Sequence, residues 1–276
     1  MEQRLQLQFP ERHVTLGDGS QVAWREAGDK NSDFAVVLLH GISSGAASWL
    51  DVAGVLASKV RVLAWDAPGY GVSEPLSQLS PRDSDYASAL SQSLQVLGVR
   101  RCVLVGHSLG ALMATKFAVE AGASLVKQLV LISPAGGYGT ASKTEQRAKV
   151  RSGRLSALAD KGVSGLAAVI DQRLVSVHGS EAVRAWVRWN TARMNAAGYA
   201  QAVELLCESD LGQAAGQLHM RVHVWVGDED IVTIPENCRA WAQILGADFA
   251  TLGKAGHASP IEIPDVIADR LMSMLP

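Results

Sequence analysis

Short, continuous runs of apolar residues alternate along the chain with longer stretches whose apolar residues recur at helical spacing. The runs occupy residues 34–39, 61–65, 102–105, 128–132 and 222–226. Continuous apolar runs of this length are typical of strands that are buried on both faces of a parallel sheet. Residues 15–27 predict an opening hairpin around a turn at 17–19, and residues 246–252 predict a last strand.

The amphipathic stretches between these runs predict helices near residues 46–58, 82–97, 111–121, 235–245 and 264–275. Gly98, Gly122 and Gly246 stand just past three of the predicted helix ends, where glycine commonly terminates a helix. Strands and helices that alternate in this order are typical of an α/β fold with a doubly wound, mostly parallel sheet.

The alternation stops from about residue 136 to residue 211. Apolar and charged residues recur there at helical spacing, interrupted by several glycines, and no strand is predicted. An insertion at the carboxyl ends of parallel strands lies over the crevice in which such folds bind their ligands. We therefore predict a core formed by residues 1–135 and 212–276, with an inserted helical cap at 136–211.

The composition is that of a globular chain, with 48% hydrophobic and 19% charged residues among 276. A net charge of −2 argues against a basic nucleic-acid-binding protein and gives no attraction to anionic membranes. The three cysteines lie far apart without a CxxC pair, so neither a disulfide framework nor a zinc site is predicted. The first residues form no apolar signal region, and we expect a cytoplasmic protein that acts on a small molecule. The oligomeric state is not predicted.

The clearest local signal is the sequence Gly106-His107-Ser108-Leu109-Gly110, between a predicted strand and a predicted helix. This is the context of the G-x-S-x-G turn, whose tight backbone lifts the serine hydroxyl above the sheet. Side chains at the two glycine positions would clash, and the helix N-terminus beneath the serine favours developing negative charge. An ordinary glycine-bounded turn is the alternative, but the context favours Ser108 as a nucleophile.

A serine hydroxyl needs a base to remove its proton, and the candidates are the seven histidines of the chain. His257 lies in a glycine-containing loop after the last predicted strand, where it can reach over Ser108. The base in turn needs a carboxylate to orient it. Asp228, Glu229 and Asp230 follow a predicted strand, and an ordinary polar turn explains at least two of the three.

The order of serine, acid and histidine along the chain resembles that of the α/β-hydrolase fold family. The resemblance covers nearly the whole chain, and it implies an eight-stranded sheet with an inserted helical cap. In that family the acid stands in a G-x-x-D pattern with a proline several residues later. Gly227, Asp230 and Pro235 match the pattern, so the resemblance selects Asp230 as the partner of His257.

His40 and Gly41 follow a predicted strand and resemble the oxyanion loop of the family. The resemblance implies that the backbone amides of Ile42 and Leu109 bind the oxygen of the tetrahedral intermediate. His40, Gly41 and His107 are therefore candidates for contact with the substrate. The side chain of His40 can instead brace the loop, and His107 can instead pack beside the nucleophile.

Two features of the predicted cap each have two interpretations. Trp186 and Trp189 share a helix face, and they either line an apolar acyl pocket or pack the cap onto the core. The basic residues between Lys143 and Arg154 either form a solvated helix face or steer an anionic substrate.

Neither a cofactor nor a metal ion is expected from the sequence. No phosphate-binding glycine motif follows a strand. His219 and His223 flank a predicted strand, where a spacing of four residues spans roughly 13 Å, which is too far for one metal ion.

The resemblance implies a serine hydrolase of the carboxylesterase or lactonase kind, which cleaves an ester, thioester or lactone through an acyl-enzyme at Ser108. Haloalkane dehalogenases of this fold carry Asp at the nucleophile position, which Ser108 excludes. The C–C hydrolases of aromatic ring-fission products are an alternative, although they commonly carry Trp directly after the catalytic histidine, where this chain has Ala258. A receptor-like member of the fold, which binds a small molecule in the same pocket, is the alternative from another class.

Overall fold

The computed structural model describes residues 1–276 and contains one sheet of eight strands. In chain order the strands are β1 (Glu11–Thr15), β2 (Gln21–Ala27), β3 (Phe34–Leu39), β4 (Arg61–Trp65), β5 (Arg101–His107), β6 (Val126–Ile132), β7 (Arg221–Val226) and β8 (Asp248–Thr251). Across the sheet their order is β1-β2-β4-β3-β5-β6-β7-β8. The pairs β1–β2 and β2–β4 are antiparallel, and all other neighbours are parallel. The predicted doubly wound, mostly parallel sheet is confirmed.

Helices follow most of the strands and cover both faces of the sheet. They are α1 (Glu2–Gln8), α2 (Leu50–Leu56), α3 (Asp83–Val96), α4 (Leu109–Leu125), α5 (Thr144–Ala167), α6 (Asp171–Leu174), α7 (Glu181–Ala192), α8 (Ala196–Glu208), α9 (Pro235–Leu245), α10 (Ser259–Glu262) and α11 (Pro264–Met272). Short 3₁₀ turns occupy Ala46–Trp49, Ala141–Lys143 and Leu211–Ala214. None of the helices combines the length and the apolar character that crossing a membrane requires.

The central strand β3 shows why its sequence is a continuous apolar run, because all six of its residues are buried. Successive side chains of a strand point to opposite faces of the sheet. Val37 and Leu39 accordingly join the apolar cluster under α3 and α4, whereas Val36 and Leu38 join the cluster under α2 and α11. If apolar and polar residues alternated along β3, one of these two clusters would lack its central residues.

The observed elements differ from the predicted ones mainly at their ends. The hairpin begins at Glu11 rather than Thr15, because β1 is an edge strand whose first three residues are exposed and need not be apolar. The helix α1 was not predicted, since Leu5 is its only buried residue and leaves no apolar stripe to recognise. The helix α4 is interrupted at Gly122, whose φ of 65° and ψ of −178° are not helical, and a short second helical piece follows to Leu125.

The predicted cap segment, residues 136–211, contains α5 to α8 and contributes no strand to the sheet. These helices lie between β6 and β7 in the chain, as expected. The helix α8 meets the core at Gly198, where a Cβ would lie 1.9 Å from the carbonyl oxygen of Gly69. Only glycine permits this approach. The limits of a separate cap domain stay a prediction.

Candidate active site

Ser108 occupies a strained turn between β5 and α4. Its φ is 53° and its ψ is −115°, a backbone conformation that is unusual for a residue with a side chain. A Cβ on Gly106 would lie 2.5 Å from the carbonyl oxygen of Gly110. A Cβ on Gly110 would lie 2.7 Å from the carbonyl oxygen of His40. The two glycines are therefore required sterically, as the motif predicts, and Ser108 stands at the tip of the turn.

His257 and Asp230 meet beside this turn, although 27 residues separate them along the chain. His257 lies in the loop after β8, Asp230 lies in the loop after β7, and both side chains are buried. The Nδ1 atom of His257 is 2.8 Å from Oδ2 of Asp230. A carboxylate can only accept a hydrogen bond, so Nδ1 carries the proton and Nε2 of the neutral ring is a free acceptor. This is the tautomer that a general base needs.

The carboxylate of Asp230 is held by its own turn. Its Oδ1 accepts the backbone amides of Val232 at 2.8 Å and Thr233 at 3.0 Å, and its Oδ2 accepts the Thr233 hydroxyl at 2.9 Å. Burial acts to raise the pKa of Asp230, but the His257 ring and these donors outweigh it, so the pKa lies below its ordinary value. Thr233 was not predicted from the sequence, although an acid three residues before a threonine is a recognisable turn pattern.

The two neighbouring acids point elsewhere. Asp228 is exposed, and Oε1 of Glu229 lies 2.9 Å from Nε2 of His178. Neither side chain contacts His257. Of the three carboxylates that the sequence left open, the structure thus brings Asp230 to the histidine, which is the residue that the family resemblance selected.

The predicted oxyanion groups lie at the mouth of the Ser108 turn. The backbone amide of Ile42 donates no hydrogen bond within the protein, and Leu109 is the first residue of α4. The first amides of a helix have no partner within it, so both N–H groups are available to a ligand. A Cβ on Gly41 would lie 3.0 Å from Cβ of Ser108, so a glycine at this position allows the loop to pass close to the serine.

His40 does not contact the site cavity, contrary to the prediction that it contacts the substrate. Its ring is buried, with Nδ1 2.8 Å from the carbonyl oxygen of Gly41 and Nε2 3.0 Å from the backbone nitrogen of Ala67. The Nδ1–H therefore donates to Gly41, and Nε2 accepts from Ala67. Burial lowers the pKa of His40, which keeps the ring neutral. The side chain braces the oxyanion loop, which is the other role considered for it.

His107 lies behind His257 and lines the cavity. Its Nε2–H donates to the carbonyl oxygen of His257 at 2.8 Å, and the two rings lie 5.0 Å apart. The ring of Trp49 lies nearly perpendicular to that of His107, with the ring centres 6.4 Å apart. Burial, followed by the proximity of His257, lowers the pKa of His107 to about 3. His107 therefore supports the backbone of His257 as a neutral donor.

The buried neutral ring of His107 predicts a protein that loses stability in mild acid. Between pH 6.5 and about 3, the unfolded chain binds a proton on this ring and the folded chain does not. We therefore expect the free energy of unfolding, measured by urea titration, to fall as the pH is lowered through that window.

The matched variant is His107→Gln, which keeps an N–H donor for the His257 carbonyl but has no titrating ring. Its free energy of unfolding should depend less steeply on pH than that of the wild type. Equal slopes would show that His107 does not cause the acid sensitivity.

Trp186 and Trp189 share a face of α7, as predicted, but they do not line the cavity. Their rings stack on each other at 4.6 Å with an angle of 21°, and both pack into the apolar cluster under α2 and α11. The residues of α7 that reach the cavity are Val187 and Asn190. The helix is turned by about one residue relative to the orientation that a tryptophan-lined pocket requires. Of the two interpretations, packing describes these tryptophans.

A carboxylate joins the cap segment to the loop that carries His257. Oε1 of Glu262 accepts the backbone amide of Gly256 at 2.9 Å, and Oε2 accepts the amide of Ser176 at 3.0 Å. Beside them, the amide of Ala258 donates to the carbonyl oxygen of Leu174 at 2.8 Å. The residues on both sides of His257 are thus bonded to the end of α6.

One cavity of about 490 Å³ contains the candidate groups. Ser108, His257, Ile42, Leu109 and Gly41 all line it, as do residues of the cap segment and of α9. No hydrogen bond joins the Ser108 hydroxyl to His257 in this structure, which is common for catalytic pairs before a substrate binds. The contribution of α9 was not predicted from the sequence, because Asn237, Trp241 and Ile244 carry no motif.

The family comparison matches most of the chain. The model of the alpha/beta hydrolase family fits residues 36–270. Among curated proteins, 111 residues are 39% identical to the 2-hydroxy-6-oxononadienedioate/2-hydroxy-6-oxononatrienedioate hydrolase 2 of Pseudomonas putida, over 39% of this chain and 38% of that protein. A stretch of 119 residues is 37% identical to an uncharacterized protein of Mycobacterium bovis, over 43% of this chain and 33% of that protein. The matched stretches therefore cover well under two thirds of these relatives.

Solved structures of similar fold cover nearly all of the chain. The enol-lactonase from Burkholderia xenovorans LB400 superposes with a TM-score of 0.83 at 22% identity, over 95% of this chain and 98% of that one. A thermophilic esterase from Thermogutta terrifontis superposes with a TM-score of 0.81 at 21% identity, over 96% and 97%. At these identities the likeness concerns the fold. Taken with the sheet order and the family match over residues 36–270, it shows that the chain belongs to the alpha/beta hydrolase family.

Proposed function

We propose that the chain is a serine hydrolase that cleaves a carboxylic ester, thioester or lactone of a small molecule. The observation that carries the proposal is the 2.8 Å contact between His257 and the buried carboxylate of Asp230, in the cavity that Ser108 also lines. Family membership supports hydrolysis in general, and an ester, thioester or lactone is preferred to a C–C bond because Ala258 stands directly after His257.

The first half of the reaction forms an acyl-enzyme. Nε2 of His257 takes the proton of the Ser108 hydroxyl as the serine oxygen attacks the carbonyl carbon. The carbonyl oxygen becomes negative and accepts hydrogen bonds from the amides of Ile42 and Leu109. His257 then passes its proton to the leaving group, whose bond to the carbonyl carbon breaks.

The second half releases the acid. Water enters the cavity, His257 takes one of its protons, and the resulting nucleophile attacks the acyl carbon. The ester bond to Ser108 breaks, and the serine oxygen recovers its proton from His257. Asp230 stays ionised throughout and stabilises the protonated ring by holding Nδ1–H. The scheme uses only side chains and backbone amides of this chain.

C–C bond hydrolysis is the second candidate, and the 39% identity over 111 residues to a Pseudomonas putida hydrolase favours it. Ala258, which lines the cavity directly after His257, departs from the tryptophan expected of such enzymes. A ligand-binding protein of the same fold is a third candidate, and it would bind tightly with very slow turnover.

A series of 4-nitrophenyl esters from acetate to decanoate tests the proposal, with Ser108→Ala as the blank. We expect turnover that depends on Ser108, with an optimum chain length set by the cavity of about 490 Å³. A folded protein that cleaves no ester in the series would contradict ester hydrolysis. Ring-fission products would then separate C–C hydrolysis from tight binding without turnover.

A further inference from the structure

Three cationic side chains line the cavity without an acidic partner. They are Lys143, Arg154 and Arg173, and all three belong to the cap segment. None of them forms an ion pair with a carboxylate, and neither Asp nor Glu occurs among the residues that line the cavity. The lining of the cavity thus carries positive charge without a carboxylate beside it.

Several other arginines in the same part of the chain have acidic partners. Arg151 pairs with Glu204 at 3.0 Å, and Arg147 pairs with Glu208 at 3.6 Å. These ion pairs join α5 to α8. On α5, Arg147 and Arg151 thus have carboxylate partners, whereas Arg154, which lines the cavity, has none.

The contacts of the unpaired cations position them without removing their charge. Lys143 Nζ donates to the carbonyl oxygen of Gly137 at 3.0 Å and lies 5.6 Å from the ring centre of Trp241, which also lines the cavity. Arg154 donates one hydrogen bond, to the Tyr199 hydroxyl at 3.1 Å. A guanidinium has five N–H donors, so most of those on Arg154 are free for a ligand. Arg173 is exposed and makes no side-chain hydrogen bond within the protein.

From this arrangement we infer that the substrate is an anion, namely an ester, thioester or lactone that carries a free carboxylate away from the scissile bond. The carboxylate binds to one or more of Lys143, Arg154 and Arg173, while the reacting carbonyl lies at Ser108. Charge-assisted hydrogen bonds from arginine to carboxylate are among the stronger polar contacts in proteins, and a partly enclosed cavity screens them less than bulk water does. The inference rests on the proposed function, because it names the substrate class of the same site.

Matched substrates test this inference directly. The anionic probes are the 4-nitrophenyl half-esters of succinate, glutarate and adipate, and the neutral controls are the same compounds with the free carboxylate capped as a methyl ester. At the best chain length we expect the half-ester to have a kcat/KM roughly tenfold above that of its neutral control. The ratio should fall in high salt. A ratio at or below one at every chain length would overturn the inference.

Neutral variants assign the effect to individual side chains. Arg154→Gln, Arg173→Gln and Lys143→Gln should each lower the preference for the half-ester while changing the hydrolysis of the neutral control much less. The matched control is Lys149→Gln, on the same helix as Arg154, because Lys149 is exposed, unpaired and outside the cavity lining. An unchanged preference in all three cavity variants would also overturn the inference.

Binding of the half-ester and of its neutral control to the Ser108→Ala variant, measured by calorimetry, separates this inference from the proposed function. Ser108-dependent turnover of the neutral esters alone would uphold ester hydrolysis and refute the anionic substrate. If the half-ester binds more tightly than its neutral control but the wild type turns over neither compound, the preference for an anionic ligand is upheld and ester hydrolysis is refuted. If neither compound is bound or turned over, both are refuted.

Discussion

Replacing Ser108 with alanine is expected to abolish hydrolysis of the best 4-nitrophenyl ester. The change removes the oxygen that attacks the carbonyl carbon and leaves His257, Asp230 and the oxyanion amides in place. Loss of the nucleophile of such a triad typically lowers kcat by about 10⁶-fold, and the remaining rate comes from the oxyanion groups and from substrate binding. The measurement is kcat under saturating ester, together with the burst of nitrophenolate that reports the acyl-enzyme.

Thermal unfolding supplies the control, because Ser108→Ala should leave the fold intact. A second variant, Ser108→Gly, is equally inactive but relieves the backbone strain at φ 53°. Glycine adopts positive φ freely, so this variant should be more stable than Ser108→Ala by on the order of 1 kcal/mol. If Ser108→Ala still cleaved esters, the nucleophile would have to be another hydroxyl of the cavity, and Ser43, Ser44 and Ser48 would be the next to replace.

Replacing Asp230 with asparagine should cost far more activity than replacing Asp228. An asparagine amide at the position of Oδ2 would present a donor to Nδ1 of His257 and favour the wrong tautomer of the ring. A change of this kind in a serine protease lowers kcat by about 10⁴-fold. Asp228 is exposed and does not contact His257, so Asp228→Asn should stay within a few-fold of the wild type. Steady-state kinetics of both variants on one ester measures the difference.

The two variants are a matched pair, since each removes one negative charge from the same loop. Asp230→Asn keeps an acceptor for the amides of Val232 and Thr233, which preserves the turn. Its thermal stability therefore distinguishes a lost catalytic contact from a disrupted loop. The reverse order of activities would identify Asp228 as the acid that orients the base.

The elements that sequence could predict are those whose burial is extreme. Strand β3 is buried on both faces, and a short, unbroken apolar run is what such a strand requires. The Ser108 turn was also predictable, because Gly106 and Gly110 are required by the backbone alone. Asp230 was predictable only through the family resemblance, since three acids in one turn are equivalent until the fold places one of them beside His257.

The residues that were placed wrongly are those whose role depends on which neighbour a helix or loop meets. The spacing of Trp186 and Trp189 shows that they share a face of α7, but not that this face packs into the apolar cluster under α2 and α11 instead of lining the cavity. His40 was considered for substrate contact because it precedes the oxyanion loop. Its true partner, the amide of Ala67, is 27 residues away in the chain and invisible to local spacing.

Glu262 has a consequence for how the cap segment can move. Its carboxylate accepts hydrogen bonds from the backbone amides of Gly256 and Ser176, and the hydrogen bond from the Ala258 amide to the Leu174 carbonyl lies beside it. Hydrogen bonds shared in this way make two segments open together as one cooperative unit. Lifting the end of α6 would release the residues that flank His257, so each opening there would disassemble the site. Ligand exchange that keeps the site assembled must therefore leave this hydrogen-bonded unit closed.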